Sequence, residues 1–106
     1  MANKVKIIIF TPIDHADLIR NRLIELEGES LSKYKGWSIS SAIIERFIPS
    51  VSANPSKGQK NILNEIKSEK IELHCHEKDW QRIVDEIIKI HPYEKPAIEV
   101  IPLIYP

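Results

Sequence analysis

The chain has 106 residues, 42% apolar and 28% charged, with fifteen basic against fifteen acidic side chains and one cysteine, Cys75. That length suits a single core, and a zero net charge excludes the basic excess of a dedicated nucleic-acid binder. The longest purely apolar run, Ile7-Ile8-Ile9-Phe10, falls far short of the ~20 residues that span a bilayer, and one cysteine excludes an internal disulfide. A leaderless cytoplasmic protein, with no membrane and no nucleic-acid partner, is expected.

Lys4 to Phe10 is short and β-branched, which predicts a central strand. Thr11-Pro12-Ile13-Asp14 reads as a helix entrance, with Thr11 capping and Asp14 as a second cap. Ala16, Ile19, Leu23 and Leu26 recur at helical spacing, and Gly28 marks the stop. Trp37 to Ile48 predicts a long strand ended by Pro49, and Ser50 to Glu65, with Pro55 and Gly58, a long loop.

From Lys70 to His76 the chain alternates. Ile71, Leu73 and Cys75 point one way, and Lys70, Glu72, His74 and His76 the other. Asp79 predicts a cap for a second helix carrying Trp80, Ile83, Val84, Ile87 and Ile88, which Pro92 ends. A last strand, about Ala97 to Ile104, contains Pro102 and therefore suits an edge. The order strand-helix-strand-strand-helix-strand makes residues 1–106 one α+β domain. A ferredoxin-like split βαβ fold closes it, an antiparallel sheet with both helices on one face.

The segment His91-Pro92-Tyr93-Glu94-Lys95-Pro96-Ala97 and the apolar strand after it resemble the closing motif of a known family. That family is the PII/CutA-like domain of YqfO proteins (the NGG-interacting-factor-three group), which also occurs free-standing. Pro12 with His15, Tyr34, Phe47-Ile48-Pro49 and Ala53-Asn54-Pro55-Ser56-Lys57-Gly58 extend the likeness over nearly the whole chain. CutA proteins share the histidine-proline-tyrosine-glutamate step, so the Asn54 to Gly58 loop is what favours YqfO. Two departures stand out: Glu27 to Ser32 replaces the family's glycine-rich turn, and Trp37 stands near a position where cysteine is common. The resemblance implies a ferredoxin-like fold and a trimer. It implies no established activity, because the metal cluster of full-length YqfO relatives lies in parts flanking this domain.

The split βαβ topology gathers His15, the long loop, His91 and Glu94 at one end of the sheet, and His74 and His76 toward the other. Two imidazoles and a carboxylate, His15, His91 and Glu94, are ligand types for a divalent metal ion such as Zn or Cu. A rigid Pro92–Pro96 turn in which His91 and Glu94 satisfy backbone groups accounts for the same residues structurally. Helix N-terminal amides with Lys57, Lys60 and Asn54 suit a small anion instead, although no glycine-rich phosphate cradle is present.

His74 and His76 read as an ordinary polar strand face, and Cys75 as a small buried hydrophobe. No nucleophile has an identifiable base and orienting partner, so little catalytic equipment is visible. The reading that results is a small oligomeric PII/CutA-like binding or regulatory module, a homotrimer. Its ligand is a divalent metal ion or a small anionic metabolite held by His15, Asn54, Lys57, His91 and Glu94. A metal-assisted hydrolase or cyclohydrolase and a structural adaptor that docks another protein are the alternatives.

Overall fold

The β-branched run near the N-terminus forms an inner strand of a four-stranded sheet with the order β2-β3-β1-β4. The computed structural model describes residues 3–28, 31–55 and 57–104. Strand β1 (Lys4–Pro12) leads through one 3-10 turn (Ile13–His15) into helix α1 (Ala16–Leu26). Strands β2 (Ile39–Phe47) and β3 (Asn64–His76) follow, then a second 3-10 turn (Glu77–Asp79), helix α2 (Trp80–Ile90) and strand β4 (Ile98–Leu103). Every neighbouring pair is antiparallel, and β4 lies at an edge, where Pro102 costs no inner ladder bond. This is the ferredoxin-like arrangement that the element order predicts.

Alternation on β1 sends Val5, Ile7 and Ile9 to the helices, where they meet Ile71, Leu73 and Cys75 of β3. The helical stripes Ala16, Ile19, Leu23, Leu26 and Ile83, Val84, Ile87 close this core. Each fully buried isoleucine contributes about 2 kcal/mol of transfer free energy. The opposite face of β1 carries Lys6, Ile8 and Phe10, whose partners on β3 are His74, Glu72 and Lys70.

Several local expectations are corrected. Strand β3 begins at Asn64 rather than Lys70, which moves the loop to residues 48–63 without changing its length. Beyond Ser68, the last residue paired with β1, β3 pairs only with β2. A ladder with one neighbour and solvated sides needs no apolar face, so Glu65 and Lys67 disguise the start of the strand. Thr11 belongs to β1 and is fully buried, its hydroxyl donating to the Pro12 carbonyl at 3.2 Å. Neither Pro12, His15 nor Asp79 caps a helix with its side chain. A 3-10 turn precedes each helix and takes the first turn's place. Asp79 instead pairs with Arg82 at 3.5 Å.

Ile88 faces solvent, because Ile83, Val84 and Ile87 already fill the stripe of α2 that meets the sheet. That helix ends where Pro92 requires: His91 is extended, with φ −71° and ψ 139°. Gly28 follows α1, and its distinguishing feature is a close approach, since a Cβ there would lie 2.7 Å from Asp79 Oδ2. Glu29, Ser30 and Ser56 of the family-like turn and loop lie outside the described residues. No helix among the described residues is long and apolar enough to cross a membrane.

Candidate functional site

Register decides which residues can meet. Pro12 pairs with Ser68 at one end of the sheet and Lys4 with His76 at the other. His15, the 48–63 loop, His91 and Glu94 therefore share the first end, and His74 and His76 the second.

His91 is placed by the end of α2 and by the proline after it. It is only 7% exposed, and both ring nitrogens are engaged. Nδ1 accepts the Tyr93 N–H at 3.1 Å, so the proton sits on Nε2, which donates to the Phe10 carbonyl at 2.7 Å. Burial pushes its pKa below the usual histidine value, partly offset by the Phe10 carbonyl, while nearby His15 lowers it further. His91 is thus a neutral strut joining the end of β1 to the 91–97 turn.

His15 sits in the first 3-10 turn and donates Nδ1–H to Asp14 Oδ1 at 2.9 Å. The other oxygen of Asp14 accepts from Lys57 Nζ at 2.5 Å, which brings the long loop onto the entrance to α1. Lys57 and then His15 hold the Asp14 carboxyl down to about 2. Glu94 Oε1 accepts the Asn54 N–H at 3.0 Å, a second tie between the loop and the 91–97 turn.

Those ties wall a cavity of about 680 Å³, lined among others by Glu45, Phe47, Lys57, Tyr93, Glu94 and Lys95. Asn54 and Arg46 also line it, whereas His15 and His91 do not. Among the described residues no group of three histidine, cysteine, aspartate or glutamate side chains is spaced to hold a metal ion. His91 as placed has no free lone pair for a cation. The set His15, His91 and Glu94 therefore does not fit a resident metal ion.

Two further residues matter that the motif reading leaves unassigned. Tyr93 Oη and Glu45 Oε1 are buried without a hydrogen-bond partner, and both residues line the cavity. Burial, then the Glu45 and Asp14 charges, raise the Tyr93 phenol to about 12, so it stays a neutral donor. An unmade hydrogen bond of this kind costs about 1–3 kcal/mol, which a bound group would recover. A signal for Glu45 is present in the sequence. It stands between Ile43 and Phe47 on one strand face, an acid flanked by apolar residues in that register.

The fold is similar to that of CutA proteins. The divalent ion tolerance protein CutA1 of Ehrlichia chaffeensis superposes with a TM-score of 0.71 at 22% identity, covering 100% of this chain and 86% of that one. A Bacillus cereus protein related to NIF3 superposes with a TM-score of 0.79, also at 22% identity, over 96% of this chain and 26% of that one. No family model matches.

In sequence, the GTP cyclohydrolase 1 type 2 homolog of Halalkalibacterium halodurans is 31% identical over 98 residues, 92% of this chain and 26% of that protein. The chain thus has a CutA/PII-like fold and is similar over nearly its whole length to one segment of the NIF3-related and GTP cyclohydrolase 1 type 2 homolog proteins, and it spans about a quarter of the length of the curated relatives it matches.

Proposed function

We propose that residues 1–106 act as one small ligand-binding or regulatory module of the CutA/PII type, whose ligand is a small anionic metabolite in the end cavity. The observation that carries this reading is the pair of ties, Asn54–Glu94 and Lys57–Asp14, that draws the 48–63 loop over a cavity of about 680 Å³. That volume suits a metabolite. Arg46, Lys57 and Lys95 bring three cations to its wall against Glu45 and Glu94, with Lys57 paired to Asp14 and Arg46 to Glu65 at 3.4 Å. Asn54 shapes the loop, while His91 and His15 position the wall rather than touch the ligand.

The working form is a homo-oligomer, a trimer on this reading, and the lone buried Cys75 suits the cytoplasm. The cyclohydrolase wording of the relatives' names is not carried over, since their matching part is a quarter of their length. Calorimetric titration with inorganic phosphate, citrate, ATP and Zn²⁺ tests the reading. Saturable binding of one of the anions, weakened at least tenfold by Lys57→Ala/Lys95→Ala, supports it. Absence of anion binding, or a Zn²⁺ response lost in His15→Ala and His91→Ala, overturns it.

A further inference from the structure

Two acids line the end cavity, and among the described residues Glu45 of β2 is the one whose carboxylate meets no donor. Its Oε1 is shut away from water, and Oε2, equally without a partner there, is the oxygen left open. We propose that the ligand of this cavity is zwitterionic: an amino acid with an acidic side chain, its ammonium on Glu45 and a carboxylate on Lys95. This class rests on the anion reading of the cavity and narrows it.

The wall's other charges are already engaged. Lys57 is paired to Asp14 at 2.5 Å and Arg46 to Glu65 at 3.4 Å. Glu94 Oε1 accepts the Asn54 N–H at 3.0 Å. Lys95 makes no hydrogen bond or ion pair to a described residue. One ammonium and one carboxylate therefore stand unpaired on the same cavity.

That pattern selects the ligand. A molecule with negative charge alone would meet Lys95, but Glu45 and Glu94 would repel it and Glu45 would stay uncompensated. Withdrawing a charge from water without a countercharge is unfavourable. A ligand ammonium brings a positive charge and three donors to Glu45, and charge-assisted hydrogen bonds are roughly twice as strong as neutral ones. A metal ion is the poorer cation here, since among the described residues no three histidine, cysteine, aspartate or glutamate side chains are grouped to hold one. An amino-dicarboxylic acid carries the ammonium and still keeps a net negative charge. Its second carboxylate falls to Lys57, whose pair with Asp14 is exposed and so exchanges readily.

The neutral part of the wall agrees with this. Tyr93 Oη is also buried without a partner, and burial, then the Glu45 charge, raises the phenol to about 12. It is therefore a neutral hydrogen-bonding group that leaves the charge pattern unchanged. Phe47 stands on the same face of β2 as Glu45, two residues on, and offers an apolar surface to the ligand's carbon chain. A cavity of about 680 Å³ takes such a molecule together with bridging water.

The test compares glutamate with glutarate, the same dicarboxylate without the ammonium, and with citrate, by calorimetric titration at pH 7.5. Glutamate should bind at least tenfold tighter than glutarate. Glu45→Gln keeps the side chain's size and removes its charge, and it should bring the two within about threefold of each other by weakening glutamate. Lys95→Ala should weaken both alike and keep the preference. Equal affinity for glutamate and glutarate, or citrate binding with no response to glutamate, overturns the zwitterion and leaves the anion reading standing. A preference for glutamate that survives Glu45→Gln overturns the assignment of the ammonium to Glu45. Failure of all three compounds to bind overturns both readings.

Discussion

His91 and Phe10, 81 positions apart, are joined by a 2.7 Å hydrogen bond from the imidazole Nε2–H to the main-chain carbonyl. Nε2 donates in either protonation state, but the two bonds together require the neutral ring, because Nδ1 must keep a lone pair for the Tyr93 N–H. Protonation puts a second N–H against that donor. With the folded pKa below the unfolded value of about 6.5, the stabilisation is complete above pH 6.5 and is lost as the pH falls through the folded pKa. The melting temperature should therefore drop on acidification below pH 6.5. His91→Gln should lower stability by about 2 kcal/mol at pH 7.5 and flatten that slope. A residual slope is expected, since His74 is shifted in the same direction. An imidazole titration by NMR that places His91 above 6.5 would refute the assignment.

Asp14 is expected to titrate near 2, because Lys57 first and His15 second favour its charged form. Both partners are partly exposed, so the shift is sensitive to salt. Carboxyl chemical shifts followed from pH 1 to 6 should show Lys57→Ala returning Asp14 toward an ordinary aspartate. Added 0.5 M salt should move it the same way by less. A titration unchanged in Lys57→Ala would mean that the loop does not rest on the entrance to α1.

Gly28 and Asp79 should be coupled energetically. A methyl group at 28 falls 2.7 Å from Asp79 Oδ2, and that oxygen is buried without a hydrogen-bond partner. Gly28→Ala should destabilise by about 1–2 kcal/mol through overpacking. Gly28→Ala/Asp79→Ala should recover at least half of that loss, read from a double-mutant cycle in urea. Additive effects would show that the two do not touch.

The element order and the core were legible because period-2 and period-3.6 patterns report burial directly. Val5, Ile7, Ile9, Ile19 and Ile83 are where those patterns put them. The first half of β3 was hidden because residues 64–67 pair with a single strand, and nothing there demands alternation. Proximity of His15, the loop, His91 and Glu94 followed from topology alone. Their division of labour did not. Which nitrogen of His91 is occupied, and that Glu94 meets a main-chain N–H of the loop rather than a cation, depend on main-chain positions that residue types do not encode.

The face of the sheet opposite the helices predicts self-association. Ile39 and Ile101 stand there 43% and 42% exposed, on the same register as Ile8 and Phe10. Burying ~400 Å² of apolar surface per subunit contributes on the order of 10 kcal/mol before association entropy is subtracted. Light scattering at micromolar concentration should report a multiple of 12.2 kDa, three on the present reading. Ile101→Lys should shift it toward monomer. A 12.2 kDa particle from the unaltered chain would end this expectation.

The 48–63 loop should be separable from the fold but not from binding. Its base is closed by the Asn61 N–H on the Pro49 carbonyl at 2.7 Å, with Asn61 in the left-handed region at φ 64°. Asn64 braces the same base through Gln59, accepting the Gln59 N–H at 2.9 Å and donating to its carbonyl at 2.8 Å. Contacts of the tip with the body are exposed and polar, Asn54 on Glu94 and Lys57 on Asp14. Such contacts contribute little to stability, and closure entropy changes only logarithmically with loop length. Replacing Ser52 to Asn61 with a short glycine-containing turn should leave the circular dichroism spectrum unchanged and the melting temperature within a few degrees. Anion binding at the end cavity should fall at least tenfold, because the loop supplies Lys57 and one wall. Two point variants separate the ties: Lys57→Ala removes a cation from the wall, whereas Glu94→Gln keeps an oxygen for Asn54 and should weaken binding less. If the shortened chain loses its oligomer or unfolds while the point variants bind normally, the loop is part of the architecture. The ligand site then has to be sought elsewhere.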